Sequence, residues 1–322
     1  MTEPPGLLEL LELSGETDVS IIGEEGIVSS HFRVSEAAAS ALAACGVGAN
    51  TIWRLRGGKN QTISVNREGA GVSLLSFLCQ RLDDDSQPER DPNRALVGFY
   101  PTKDDRWVHL HGAFPRLAEG TLNILKCSND HDSVASAVKK WNAQALEDEL
   151  AAAGMCGAMA RSRTEWLAHP QGIALKDEPP IVIEKIGDSE PINFSSATRP
   201  LSDVKVLDLT RVLAGPTCAR TLASHGANVL KVNSPKLPSV PPFVIDTGHG
   251  KRSTFLDLTQ PDDRDTLKQL AASADVFSQG YRKDALDRLG FGPGHLAELR
   301  PGIIYVSINA YGHIGPWARR PG

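Results

Sequence analysis

The residues of this 322-residue sequence best suited to chemistry are basic side chains and backbone N–H groups near turns between predicted elements. The stretch DLTRVLAGP, Asp208 to Pro216, follows an apolar run and precedes a helical one, the place where a nucleotide-binding loop belongs. It holds a single glycine, so it lacks the G-x-G-x-x-G spacing that lets backbone approach a pyrophosphate closely. A helix beginning at Gly215-Pro216 still offers free N–H groups to an anion, and a plain tight turn accounts for the stretch equally well. The stretch GHGKRS, Gly248 to Ser253, is not a P-loop, because Ile245 and Arg252 stand where Gly and Ser/Thr are required. Lys251 and Arg252 are nevertheless able to clamp phosphates, Arg as a bidentate fork and Lys as a point charge. Taken alone, the pair reads more simply as a solvated basic turn. His109 and His111, two apart on a predicted strand, share a face. No Cys or carboxylate sits at a companion spacing, so they read as a half-exposed strand face and no metal site is expected. Asp83, Asp84 and Asp85 read as a solvated loop. No G-x-S-x-G and no Cys–His nucleophile pattern occurs.

These residues need elements to position them. Downstream of residue 200, strand and helix patterns alternate. The expected strands are 204–209, 228–232, 275–278 and 303–308; the expected helices are 215–226, 261–272 and 283–289. Short β-branched runs between amphipathic segments argue an open, doubly wound parallel sheet. Upstream the pattern is α+β: a long Ala-rich helix over 35–56, a strand over 61–67, two strands about a turn at 102–105, and helices near 116–127, 133–141 and 145–153. The Pro- and Ser-rich stretch between Pro179 and Pro200 reads as a linker. The expected division is an α+β part over 1–190, a linker over 191–203 and a Rossmann-like part over 204–322.

Composition narrows the function. With 41% hydrophobic and 23% charged residues, the chain is globular rather than disordered. A net charge of −5 argues against a nucleic-acid partner. Residues 201–322 carry 15 Lys/Arg against 11 Asp/Glu, a mild basic excess that suits a small phosphorylated ligand. Five widely spaced cysteines without a C-x-x-C read as free thiols in a reducing compartment. No signal peptide or membrane span is expected, and a cytoplasmic location follows.

Four stretches, VLDLTRVLAGPTCARTLASHGANVLKV, TGHGKRSTFLDL, ADVFSQGYRKDALDRLGFG and RPGIIYVSINAYGHIGPW, occur in that order. Together they resemble the class III CoA-transferases, a family that includes formyl-CoA transferase, carnitine CoA-transferase and the α-methylacyl-CoA racemases. The resemblance implies a CoA-binding Rossmann-like domain, a smaller domain and an interlocked homodimer. It matches Val212, Leu213 and Ala214 to the loop lining the adenine, and Lys251 and Arg252 to the basic pair near the CoA phosphates. Tyr281 matches the aromatic residue of N-[FY]-R-P-G, and Arg288 the arginine of L-x-R-L/M-G. Gly280, Lys283, Asp284 and Asn309 depart from the family pattern. CoA or acyl-CoA enters as substrate, with a carboxylate acceptor and no tightly bound cofactor.

The first 190 residues resemble a later portion of the same family, through WRLRGGKNQTISVN, GFYPTKDDRWVHL and LAAAGMCGAMARSRTEWLAHPQGIAL. The order of parts is thus inverted, which implies descent from a tandem, two-copy protein. The family's catalytic Asp belongs beyond Asn309, past Gly322. In the first copy, counting back from Gly58–Gln61, it falls near Glu36, with Ser35 as the expected helix N-cap; a glutamate in a first turn is also ordinary, and that simpler reading accounts for Glu36 without catalysis. The expected activity is CoA transfer from a short acyl-CoA to a carboxylate. A 2-methylacyl-CoA racemase and a CoA-binding pseudoenzyme or truncated product are the alternatives.

Overall fold

The computed structural model describes residues 7–11, 13, 17–24, 26–80 and 94–321, so the Asp83–Asp85 loop lies outside the described residues. Among them run ten strands: β1 (Val19–Ile22), β2 (Ile63–Asn66), β3 (Val97–Pro101), β4 (Trp107–His111), β5 (Gly157–Met159), β6 (Lys205–Asp208), β7 (Asn228–Asn233), β8 (Lys251–Phe255), β9 (Val276–Gln279) and β10 (Ile304–Ser307). The helices that matter most to the site are α1 (Val34–Leu55), α2 (Arg67–Ser73), α3 (Ala143–Ala152) and α4 (Ala214–Ser224).

Two compact units are present, and neither is one continuous stretch of chain. The first combines residues 1–86, 183–280 and 287–307; the second combines 87–182, 281–286 and 308–322. The units are therefore not divided at the 191–203 linker, and the long Ala-rich helix belongs with the parallel sheet. Arg56 supplies a physical reason. Buried just past the end of α1, it donates from Nε to the Pro200 carbonyl at 2.7 Å, from Nη1 to Ser195 at 2.8 Å and from Nη2 to Ser202 at 2.6 Å. Its guanidinium also sits 4.7 Å from the centre of the Phe194 ring. One planar fork thus satisfies three carbonyls of the linker and ties it to the helix.

The first unit is built on a five-stranded sheet in the order β10-β9-β6-β7-β8, with every neighbouring pair parallel. Counted from β6, the order is the doubly wound one, and the chain reverses direction across the sheet between β6 and β9. Val206, Val229 and Val276 pack with Ala219 and Ala223 of α4, and Ile52 of α1 joins the same cluster. A small parallel pair, β1 with β2, packs beside Ala38 and Ala39 of α1 and Ala70 of α2. The expected helix over 283–289 is instead a turn followed by one 3₁₀ turn at Asp287–Leu289, and Asp284 adopts φ +65°. A left-handed residue at that position stops an α-helix.

The second unit carries the antiparallel sheet β3-β4-β5. Leu96, Val108 and Leu110 form its core with Leu146 and Leu150 of α3. Asp104 fastens the hairpin, accepting from the Thr102 hydroxyl at 2.6 Å and from Ala143 N at 3.2 Å. His109 and His111 share one face of β4, with ring centroids 6.1 Å apart. Burial, then the neighbouring His111, holds the His109 imidazole below its ordinary pKa. Among the described residues, no group of three or more His, Cys, Asp or Glu converges as metal ligands would.

Candidate functional site

At the C-terminal end of β6 the chain turns through Leu209–Leu213 and enters α4. Gly215 is required there, because an added Cβ would lie 2.3 Å from Thr210 Cβ. Val212 adopts φ +68°, an uncommon conformation for a β-branched residue, and its side chain is exposed. Such strain costs on the order of 1–3 kcal/mol and persists only where surrounding contacts fix it. Those contacts come from below. Asp208 is fully buried and accepts from Thr210 N at 3.0 Å, from the Thr210 hydroxyl and from Lys251 Nζ at 2.8 Å. Lys251 Nζ also donates to the Pro216 carbonyl at 2.7 Å. Lys231 Nζ lies 3.8 Å from Asp208 and donates to the Thr210 carbonyl. One carboxylate and two ammonium groups therefore hold both arms of the turn. Burial outweighs the attraction of Asp208, pulling Lys231 down to about 8 and Lys251 below the usual lysine value.

This arrangement separates Lys251 from Arg252. The two alternate along β8, which is an edge strand rather than a loop. Lys251 is turned inward, its side chain 3% exposed, whereas the exposed Arg252 donates to Asn228 Oδ1 at 3.0 Å. The pair does not form a joint phosphate clamp, because successive strand residues point to opposite faces. Leu213 and Ala214 stand at the start of α4, and Arg288 is exposed on the 3₁₀ turn. Tyr281 is half-buried and falls in the second unit. Glu36 lies in the first turn of α1, paired with Arg67 Nε at 2.7 Å and with Arg33 at 3.9 Å. Ser35 is not the N-cap; the helix begins one residue earlier and Ser35 is buried within it.

Several residues that the motif reading passed over carry much of the local order. In the second unit, Glu147 is fully buried and takes a bidentate Arg161 at 2.6 and 2.8 Å, along with Met159 N at 2.8 Å. Although burial opposes it, these donors hold the Glu147 carboxyl below its ordinary pKa. Gln171, also fully buried, donates to the carbonyls of Tyr311 and Ile314 at 2.8 and 2.9 Å and accepts from Trp317 N at 2.7 Å. It fixes the 311–317 loop much as a backbone strand would. A buried-reading position that must hold a charge or an amide was the available signal for Asp208, Glu147 and Gln171.

The sequence pattern of CoA-transferase family III matches residues 12–176 and 201–322. The chain belongs to CoA-transferase family III. Among its relatives, the acetyl-coenzyme A transferase nodX of Hypoxylon pulicicidum is 30% identical over 318 residues, covering 84% of this chain and 53% of that protein. Human succinyl-CoA:glutarate CoA-transferase is 38% identical over 136 residues, covering 38% of this chain and 31% of that protein. A crystal structure of Rv3272 from Mycobacterium tuberculosis is 36% identical, with a TM-score of 0.36, and covers 39% of this chain and 37% of that one. The chain thus spans about half the length of the curated relatives that match most of it. Within this family III chain, the β6–α4 turn lies in the second matched segment and Glu36 in the first.

Proposed function

We propose that this protein moves coenzyme A between a short acyl-CoA donor and a carboxylate acceptor, binding the coenzyme at the C-terminal ends of β6 and β9. The observation that carries the reading is the strained Val212 turn at the point where strand order reverses, since open parallel sheets bind ligands there. Val212, Leu213 and Ala214 present apolar surface and backbone to the adenine. Arg288, exposed on the 3₁₀ turn that follows β9, reaches its phosphates, whereas Arg252 is directed to Asn228 at the N-terminal end of β7 and is left out of the site. Lys251 acts through Asp208 as a positioning residue for the turn. Family III membership and relatives named as acyl-CoA transferases support the reaction class.

Glu36 serves as nucleophile in this proposal. Its carboxylate attacks the thioester carbon, releasing CoA thiolate and forming a mixed anhydride. The thiolate then attacks the glutamyl carbonyl, expelling the donor acid and leaving a glutamyl-CoA thioester. The acceptor carboxylate repeats the sequence in reverse. Each step exchanges one activated carboxyl for another, so none climbs far in energy. The protein works as a cytoplasmic homodimer. The unpaired state of its five cysteines and exposed apolar side chains such as Phe99 and Trp107 support that assignment. Among the described residues, no helix is long and apolar enough to cross a membrane.

The test is hydroxylamine trapping after incubation with acetyl-CoA. Wild type should yield a hydroxamate at residue 36, and Glu36→Gln should lose transfer while keeping its CoA affinity by calorimetry. Transfer surviving that substitution would overturn the role of Glu36, and absence of any CoA binding would overturn the proposed function.

A further inference from the structure

The second unit carries a basic cleft apart from the β6–α4 turn. It is an open depression of about 500 Å³, and Arg282, Arg319, Arg320, Pro316 and Gly154 are among its walls. That volume suits a small ligand. The three arginines are incompletely partnered. Arg320 Nη1 is buried and makes no hydrogen bond; Glu147 Oε1, its nearest carboxylate oxygen, lies 3.6 Å away. Glu147 already gives both oxygens to Arg161. Arg282 makes one long contact, from Nη2 to the Gly154 carbonyl at 3.4 Å. Arg319 pairs with Asp284 but keeps a side chain that is 72% exposed. Counting Arg161, four guanidinium groups share two carboxylates. The C-terminal end of α3 brings carbonyl dipoles of the opposite sign to the same wall. Its closing bonds, Met155 N to Leu150 O at 2.8 Å and Gly154 N to Ala151 O at 3.0 Å, occupy part of that acceptor capacity.

We propose that this cleft is an oxyanion subsite, in which Arg282, Arg319 and Arg320 take a carboxylate or phosphate group of a bound substrate. Planar guanidinium forks match both groups bidentately, and excess positive charge on a concave wall favours them. The inference rests on the reading that the protein handles coenzyme A and carboxylic acids. The oxyanion therefore comes either from the acceptor or from the coenzyme's phosphates.

Calorimetry on the full chain with glutarate and, separately, with CoA distinguishes these sources. Arg319→Gln is the first variant, because its exposure protects the fold; Arg282→Gln is the second. Loss of a charge-assisted contact should weaken binding by about tenfold or more. A fall in glutarate affinity alone identifies the acceptor carboxylate, and a fall in CoA affinity alone identifies a phosphate; a fall in both also supports the subsite. Both affinities unchanged in both variants, with wild-type melting temperatures, overturn the inference and leave the proposed function standing. A wild-type protein that binds glutarate through these arginines but not CoA overturns the proposed function and leaves the subsite standing. Binding of neither ligand by wild type overturns both.

Discussion

Replacing Lys251 by methionine separates two roles that its place in the motif confounds. If its ammonium holds Asp208, the substitution orphans a carboxylate that has no exposed surface. Breaking a buried ion pair from one side costs about 3–5 kcal/mol. Here Lys231 remains 3.8 Å from Asp208 and Thr210 N keeps its 3.0 Å bond, which puts the loss near the lower end, about 3 kcal/mol. A unit of this size shifts by roughly 2–4 °C per kcal/mol, so melting should fall by about 6–12 °C. Adding Asp208→Asn removes the stranded charge and should restore much of the loss, a coupling that a double-mutant cycle reads directly. Differential scanning fluorimetry measures the stabilities and calorimetry the CoA affinities. Melting of Lys251→Met within about 1 °C of wild type, together with a CoA affinity lowered by roughly tenfold, would refute the buried-anchor argument. It would return Lys251 to the phosphate contact that its motif suggests.

Lys231 gives a pH-dependent companion. Its folded pKa of about 8 lies below the unfolded 10.5, so between those values the unfolded chain binds more protons and stability rises with pH. Below about pH 8 both states hold the proton and the dependence vanishes. Urea midpoints measured from about pH 7 to 9.5 should climb more steeply in wild type than in Lys231→Met, and parallel profiles would contradict the burial argument. For Arg56→Ala, the loss of three carbonyl contacts should cost about 2–4 kcal/mol and expose the 183–200 segment to limited proteolysis. Unchanged cleavage there would mean that Arg56 does not hold the linker.

The parallel sheet was legible in its short apolar runs, of which those at β6 and β9 are largely buried. The runs at β6, β7, β9 and β10 are short and rich in β-branched residues, and Pro216 and Gly226 punctuate α4. β8 was not legible, because KRSTF is an edge strand whose polar residues read as a loop. The helix expected over 283–289 failed for a local reason, the left-handed Asp284. At the site, position was readable but direction was not. The motif puts Lys251 and Arg252 side by side, yet only strand geometry tells that one points at Asp208 and the other at Asn228. The division into units escaped for a different reason. What joins residues 26–80 to the sheet is partly the fork of Arg56 reaching carbonyls 139 to 146 positions away, and no local pattern encodes such a partner.

That separation in sequence also sets a clock for synthesis. The core of the second unit draws on Leu96 to Met155, one uninterrupted stretch that is complete soon after it leaves the ribosome. The first unit cannot close so early. Pro200, which receives Arg56 Nε, follows it by 144 residues, and at about 5–20 residues per second that interval is on the order of 10 s. β10 emerges later still, although it pairs with β9 at one margin of the sheet. During this interval α1 has its apolar face but not the sheet cluster that Ile52 later joins. The nascent chain therefore carries a finished small core preceded by a helix sheltered by its near neighbours but not yet by the sheet, the kind of surface that chaperones hold until its distant partner arrives.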